Sequence, residues 1–154
     1  MDTKAIAYLM CGLPGSGKTT YSKELEKGGA TRLSLDEKVF EKFGREYSNH
    51  DERQEEAKNE LREMLKEKIA AGQSVIADFG FWKKADRDAY KALVEDAGGN
   101  WKLLYFEADR EILLKRLAER NVADPHNNHV IDEAMFNQFL NDFEEPFGER
   151  RNGN

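Results

Sequence analysis

Ten residues near the amino end, Cys11-Gly-Leu-Pro-Gly-Ser-Gly-Lys-Thr-Thr20, constrain this chain more than any other stretch. Within them, Gly12-x-x-x-x-Gly17-Lys18-Thr19 has the form of a phosphate-cradling loop. In such a loop successive backbone N–H groups turn inward, a lysine reaches the β- and γ-phosphates and a hydroxyl ligates Mg²⁺. Glycines at 12, 15 and 17 allow a backbone approach that a Cβ would forbid, and Pro14 stiffens the turn. A helix expected from about Lys18 points its positive end at the anion. The expected nucleotide contacts are Gly12, Leu13, Pro14, Gly15, Ser16, Gly17, Lys18, Thr19 and Thr20, with Thr19 on the metal. The spacing is not that of the dinucleotide-binding G-x-G-x-x-G, so ATP or GTP is expected rather than NAD.

The context suits such a loop. Ala5 to Met10 is a short apolar run of the kind a buried parallel strand shows. Thr20 to Lys27 reads as a helix with Tyr21 and Leu25 inward, ended by Gly28-Gly29. Ala30 to Leu35 reads as a strand that delivers Asp36 just past its carboxyl end, the edge where ligands sit in open parallel sheets. Asp36 opens a short helix to Phe43 and serves as its N-cap, as a catalytic base, or as both. Asp51 to Ala71 is a long amphipathic helix through Ala57, Leu61, Met64, Leu65 and Ile69.

Gln73 to Asp78 gives another strand ending in a carboxylate, the position of a second metal-side acid. Phe79, Phe81 and Trp82 then either wall an acceptor pocket or pack down onto the sheet. Ala85 to Ala97 is expected as a helix with Ala89, Leu93 and Ala97 inward, and Asn100 to Phe106 as a fourth strand. Asp109 to Arg120 is expected to bury Ile112, Leu113 and Leu117, with Arg116 and Arg120 sharing one face. Residues 121–131 suit a lid over the nucleotide, and Ile131 to Phe143 resumes helical spacing through Ala134, Met135, Phe139 and Leu140. The alternation implies one α/β domain over residues 1–154, a three-layer P-loop NTPase fold of nucleotide-kinase type. Its sheet would be mostly parallel, with four to five strands flanked by helices.

Charge narrows the partners. With 24 basic against 30 acidic side chains the net charge is −6, which disfavours long nucleic acid and leaves short acceptors open. The single cysteine, Cys11, excludes an intrachain disulfide or a multi-cysteine zinc site and is expected to be a small buried residue. His126 and His129, with Asp124, suit a polar loop better than a zinc site. There is no membrane-length apolar run and no leader pattern, so a soluble cytoplasmic protein is expected.

Four segments together carry a family resemblance: Cys11 to Thr20, Arg32-Leu-Ser-Leu-Asp-Glu37, Val75-Ile-Ala-Asp-Phe-Gly-Phe-Trp82, and Leu113-Leu-Lys-Arg-Leu-Ala-Glu-Arg-Asn121. The chain resembles the small bacterial P-loop kinases and AAA-domain ATP-binding proteins of the predicted-kinase group, related to polynucleotide kinase, chloramphenicol phosphotransferase and zeta toxin. That resemblance implies an ATP- and Mg²⁺-dependent kinase, and the loop, Asp36 at a strand end and the aromatic residues after Asp78 lead to the expectation of a small-molecule hydroxyl as acceptor. By it, Asp36 takes the acceptor's proton, Arg116 or Arg120 contacts the transferring phosphates, and Asp78 holds a Mg²⁺-bound water or an acceptor group. Two other readings fit the motifs: a nucleotide switch or ATPase working through a protein partner, and a 5′-hydroxyl polynucleotide kinase.

Overall fold

The apolar run before the phosphate loop forms β1 (Ile6–Gly12), and the other strands assemble around it. β3 (Val75–Gly80) pairs with it in parallel on one side and β4 (Asn100–Phe106) on the other, while β2 (Thr31–Ser34) pairs in parallel with β3. The order is β2-β3-β1-β4. Parallel neighbours need long crossovers. These are supplied by α1 (Lys18–Lys27), by α2 (Leu35–Phe43) with α3 (Asp51–Ala70), and by α4 (Lys84–Asp96). After β4 come α5 (Arg110–Ala123) and α6 (Glu133–Asp142). The computed structural model describes residues 4–13, 16–43, 51–81, 83–107, 109–123 and 133–146, and for Thr19, Asp36 and Arg120 the backbone alone. Pro14, Gly15, Trp82, His126, His129 and the expected lid beyond residue 123 lie outside the described residues. The expected α/β class with a mostly parallel sheet of four to five strands is observed, with four parallel strands among the described residues.

Alternation along the strands divides the molecule into two unlike faces. Ala7, Leu9, Leu33, Val75 and Ala77 point to one side and meet Leu61, Leu65 and Ile69 of α3 and Tyr90 and Val94 of α4. Each of the larger of these side chains contributes roughly 1.5–3 kcal/mol by leaving water. The other side, covered by α1, carries a buried polar group described below. Between Leu9 and Cys11 of β1 the partner register advances from Ala77 to Gly80, so β3 holds one extra residue beside Asp78. Such a bulge redirects side chains at a strand end.

Several expected faces turn out differently. On α1, Tyr21 is 47% exposed and the fully buried residue is Ser22. On α4 the buried stripe is Arg87, Tyr90 and Val94, one step round from the expected Ala89, Leu93 and Ala97. A charged residue anchors that stripe because Phe81 offers its guanidinium a carbonyl inside the protein. On α5, Leu113 and Leu117 are buried but Ile112 is 44% exposed, and on α6 the innermost residue is Phe136.

Candidate active site

β1 extends through Cys11 and Gly12, and the chain then turns, with Ser16 N–H donating to the Leu13 carbonyl at 3.1 Å. Gly17 takes φ 99° at the N-cap of α1, where no side chain caps the helix. The first amides of α1 are therefore left for a ligand or solvent. Three further observations fit a phosphate there. The Ser16 Oγ is buried and has no hydrogen-bond partner among the described residues, an expensive arrangement unless a ligand meets it. Lys18 makes no hydrogen bond or ion pair with another described residue. A Cβ on Gly12 would come within 2.6 Å of the Ser16 Oγ and 3.2 Å of Phe106, so only glycine leaves this cradle open. Thr20 is exposed on the first turn of α1, and Thr19 is described by its backbone in that same turn.

The edge formed by β2 and β3 carries the acids. α2 begins at Leu35, and Ser34 is its N-cap: the Ser34 Oγ accepts from Glu37 N–H at 3.3 Å. Capping by Asp36 is thereby corrected, because Asp36 lies within the first helical turn and the cap position is already filled. Glu37 pairs with Arg32 of β2, whose Nη2 donates to the Asp78 Oδ2 at 2.8 Å and whose Nε donates to it at 3.3 Å. Ser22 of α1 donates to the same oxygen at 3.2 Å and accepts from the Arg32 Nε at 3.0 Å. Burial opposes the Arg32 charge, but hydrogen bonds to Glu37 and Asp78 more than offset that and raise its pKa. Asp78 thus lies inside β3, which runs on to Gly80 rather than ending at the carboxylate, and an arginine and a serine converge on one of its oxygens.

Of the aromatics after Asp78, Phe81 is buried and stacks edge-on to Tyr90 at 5.1 Å, and Phe79 packs against both rings. Phe79 and Phe81 thus follow the alternative of packing onto the core rather than walling an acceptor pocket. Phe81 holds φ 50°, a strained value for a bulky residue. Its carbonyl accepts from the Arg87 Nη1 at 2.8 Å and from the Cys11 Sγ at 3.4 Å, which fixes the turn between β3 and α4. Neither Arg32 nor Arg87 is among the residues expected to work at the site. Arg87 had a signal, since 87, 90 and 94 share the i, i+3, i+7 spacing of a helix face.

Leu13 of the loop packs with Leu113 and Leu117 of α5 and Phe136 of α6, so α5 abuts the phosphate loop. Arg116 is exposed on α5, and Arg120 lies one turn further on the same helix. After α6, Phe143 stacks on Tyr105 at 5.9 Å, and the Glu144 Oε1 accepts from the Lys84 N–H at 2.9 Å, capping α4 from across the fold. Burial, then the charges of Glu145 and Glu107, push the Tyr105 hydroxyl up to about 12.

The family model for the AAA domain AAA_33 matches residues 8–146. No curated protein matches the chain. Among solved structures, a candidate kinase from Chloroflexus aurantiacus j-10-fl shares 20% identity and a TM-score of 0.75, over 96% of this chain and 86% of that one. A chain of the Pnkp1/Rnl/Hen1 RNA repair complex gives 15% and 0.76 over 92% of this chain, which spans only 45% of the larger protein. A sugar kinase from Janibacter sp. HTCC2649 gives 19% and 0.66, over 96% and 82%. Identities this low bear on fold alone. Together with the cradle at residues 12–18, the match over most of its length means that this chain belongs to the AAA_33 family of AAA domains and has the P-loop kinase-like fold.

Proposed function

We propose that this protein is an ATP-dependent phosphotransferase that moves the γ-phosphoryl group of ATP to a hydroxyl of a small molecule. The observation that carries the reading is a pair of groups in the loop without partners among the described residues, the Ser16 Oγ and Lys18, at the carboxyl edge of a sheet whose β2 strand leads into Asp36. Backbone amides at the start of α1, the Ser16 hydroxyl and Lys18 hold the phosphate oxygens in place. Asp36, released from capping by Ser34, accepts the proton of the acceptor hydroxyl and orients that oxygen in line with the γ-phosphorus. Arg116 or Arg120, on the helix packed against Leu13, balances charge on the transferring oxygens.

Among the described residues no group of three or more His, Cys, Asp or Glu could hold a metal by itself. The Thr19 hydroxyl would hold Mg²⁺, with Asp78 as the remaining protein candidate, and the ion would supply charge neutralisation on the phosphates. No described helix is long and apolar enough to cross a membrane. The net charge of −6 favours a small acceptor over an RNA or DNA end.

A panel of hydroxyl compounds, 5′-hydroxyl oligonucleotides included, incubated with γ-labelled ATP tests the reading. One small compound should take the label, and Asp36→Asn should slow transfer about 10²- to 10⁴-fold while Mg-ADP affinity is kept. Release of inorganic phosphate with no labelled product would replace this reading with an ATPase or switch. Label on the oligonucleotides alone would replace it with a polynucleotide kinase.

A further inference from the structure

The buried polar group beneath α1 joins four elements, two of which carry the proposed chemistry. Ser22 lies one helical turn beyond Lys18 on α1, and Glu37 is the immediate neighbour of Asp36 on α2. Between them stand Arg32 of β2 and Asp78 of β3, whose side chains are 8% and 3% exposed. Three donor atoms, the Arg32 Nη2 and Nε and the Ser22 Oγ, converge on the Asp78 Oδ2. The other arm of the same guanidinium reaches Glu37. Arg32 thus touches α1, α2 and β3 together.

We infer that Arg32 is a positioning residue that sets Asp36 against the phosphate loop, and that Asp78 works through Arg32 rather than on the metal. The inference rests on the phosphotransfer reading. Arginine's planar fork can hold two carboxylates in fixed directions, which a lysine cannot. With Ser34 closing the first turn of α2 and Glu37 tied to Arg32, that turn has one orientation relative to Ser22 and hence to the loop. Asp36 sits on that turn. A carboxylate already bound to a guanidinium offers little charge to a dication. To reach the metal, Asp78 would have to leave the buried Arg32 with the largely exposed Glu37 as its remaining charge partner among the described residues.

Glu37→Gln is the first test, because Glu37 is 64% exposed and its loss leaves the Arg32 pair with Asp78 in place. A misplacement of about 1 Å can cost about 100-fold in rate. Glu37→Gln is therefore expected to lower kcat by about 10- to 100-fold, with Mg-ADP affinity within about twofold of the parent. Arg32→Lys, which keeps the charge but not the fork, should do the same. Unchanged kcat in both variants would overturn the positioning role.

Asp78→Asn addresses the metal directly. In calorimetric titrations of ADP at varied Mg²⁺, the half-saturating Mg²⁺ should stay within about twofold, since hydrogen bonding to Arg32 survives in part. A tenfold rise would overturn the assignment and return Asp78 to the metal. Amide hydrogen exchange needs no acceptor. Glu37→Gln should speed exchange through the first turns of α2 about tenfold or more and leave α1 unchanged, as expected when a local tether is cut. If wild-type protein transfers no phosphate, the phosphotransfer reading fails and this arm still decides the clamp, because unchanged α2 exchange would overturn it.

Discussion

The phosphate loop and the Arg32–Asp78 group lie at neighbouring points of one sheet edge and treat their polar atoms in opposite ways. The loop buries a serine hydroxyl with no partner among the described residues and starts a helix with no side-chain cap. On the paired strand β3, the Asp78 Oδ2 collects donors from both a serine and an arginine. Burying an unpaired polar group costs about 1–3 kcal/mol, so its retention in the loop points to a ligand that is not part of the chain. The satisfied group is framework, and its members answer to one another.

The comparison is broken most severely at Asp78. Asp78→Ala leaves the Arg32 guanidinium buried beside a gap and is expected to cost about 3–5 kcal/mol, seen as a lower Tm and a lower denaturant midpoint. A loss below about 1 kcal/mol would mean that the pair is not part of the framework. The contrasting change is Ser16→Ala. It removes an unmet hydroxyl, so stability should hold or rise, while Mg-ATP affinity by calorimetry falls about 2- to 10-fold. A loss of stability equal to that at Asp78 would erase the distinction between the two regions.

How far the sequence disclosed this division depends on how local each cause is. The glycines, Lys18 and Thr19 act through the backbone of their own turn, so loop and helix could be placed from ten residues. The capping pair Ser34-x-x-Glu37 is equally legible in the sequence, where Asp36 competes with it as a candidate cap. Ser22 was hidden for another reason. Next to Tyr21 it looks like a surface serine, and its burial depends on Asp78, 56 residues away. Arg87 is likewise buried because Phe81 adopts a left-handed backbone that presents its carbonyl, which no spacing rule announces.

The smallest expected effect lies at the far edge of the sheet, where Tyr105 belongs to neither region. Its hydroxyl has a folded pKa of about 12 against an ordinary 10.0, so it stays protonated in the folded chain after the unfolded chain has lost its proton. That contribution is complete below about pH 10 and is lost as the pH rises towards about 12. Tyr105→Phe should therefore flatten the decline of Tm over that alkaline interval and leave Tm at neutral pH nearly unchanged. An equal decline in both proteins would contradict the assignment.

The central claim is that the unmet donors of the loop await a nucleotide's phosphates, and calorimetric titration of Mg-ATP into the wild type and Lys18→Ala tests it most directly. The account predicts saturable binding to the wild type and affinity about 10- to 150-fold weaker in the variant, with the two melting curves superimposable. Absence of binding to the wild type, or equal affinity in the two proteins, would contradict it.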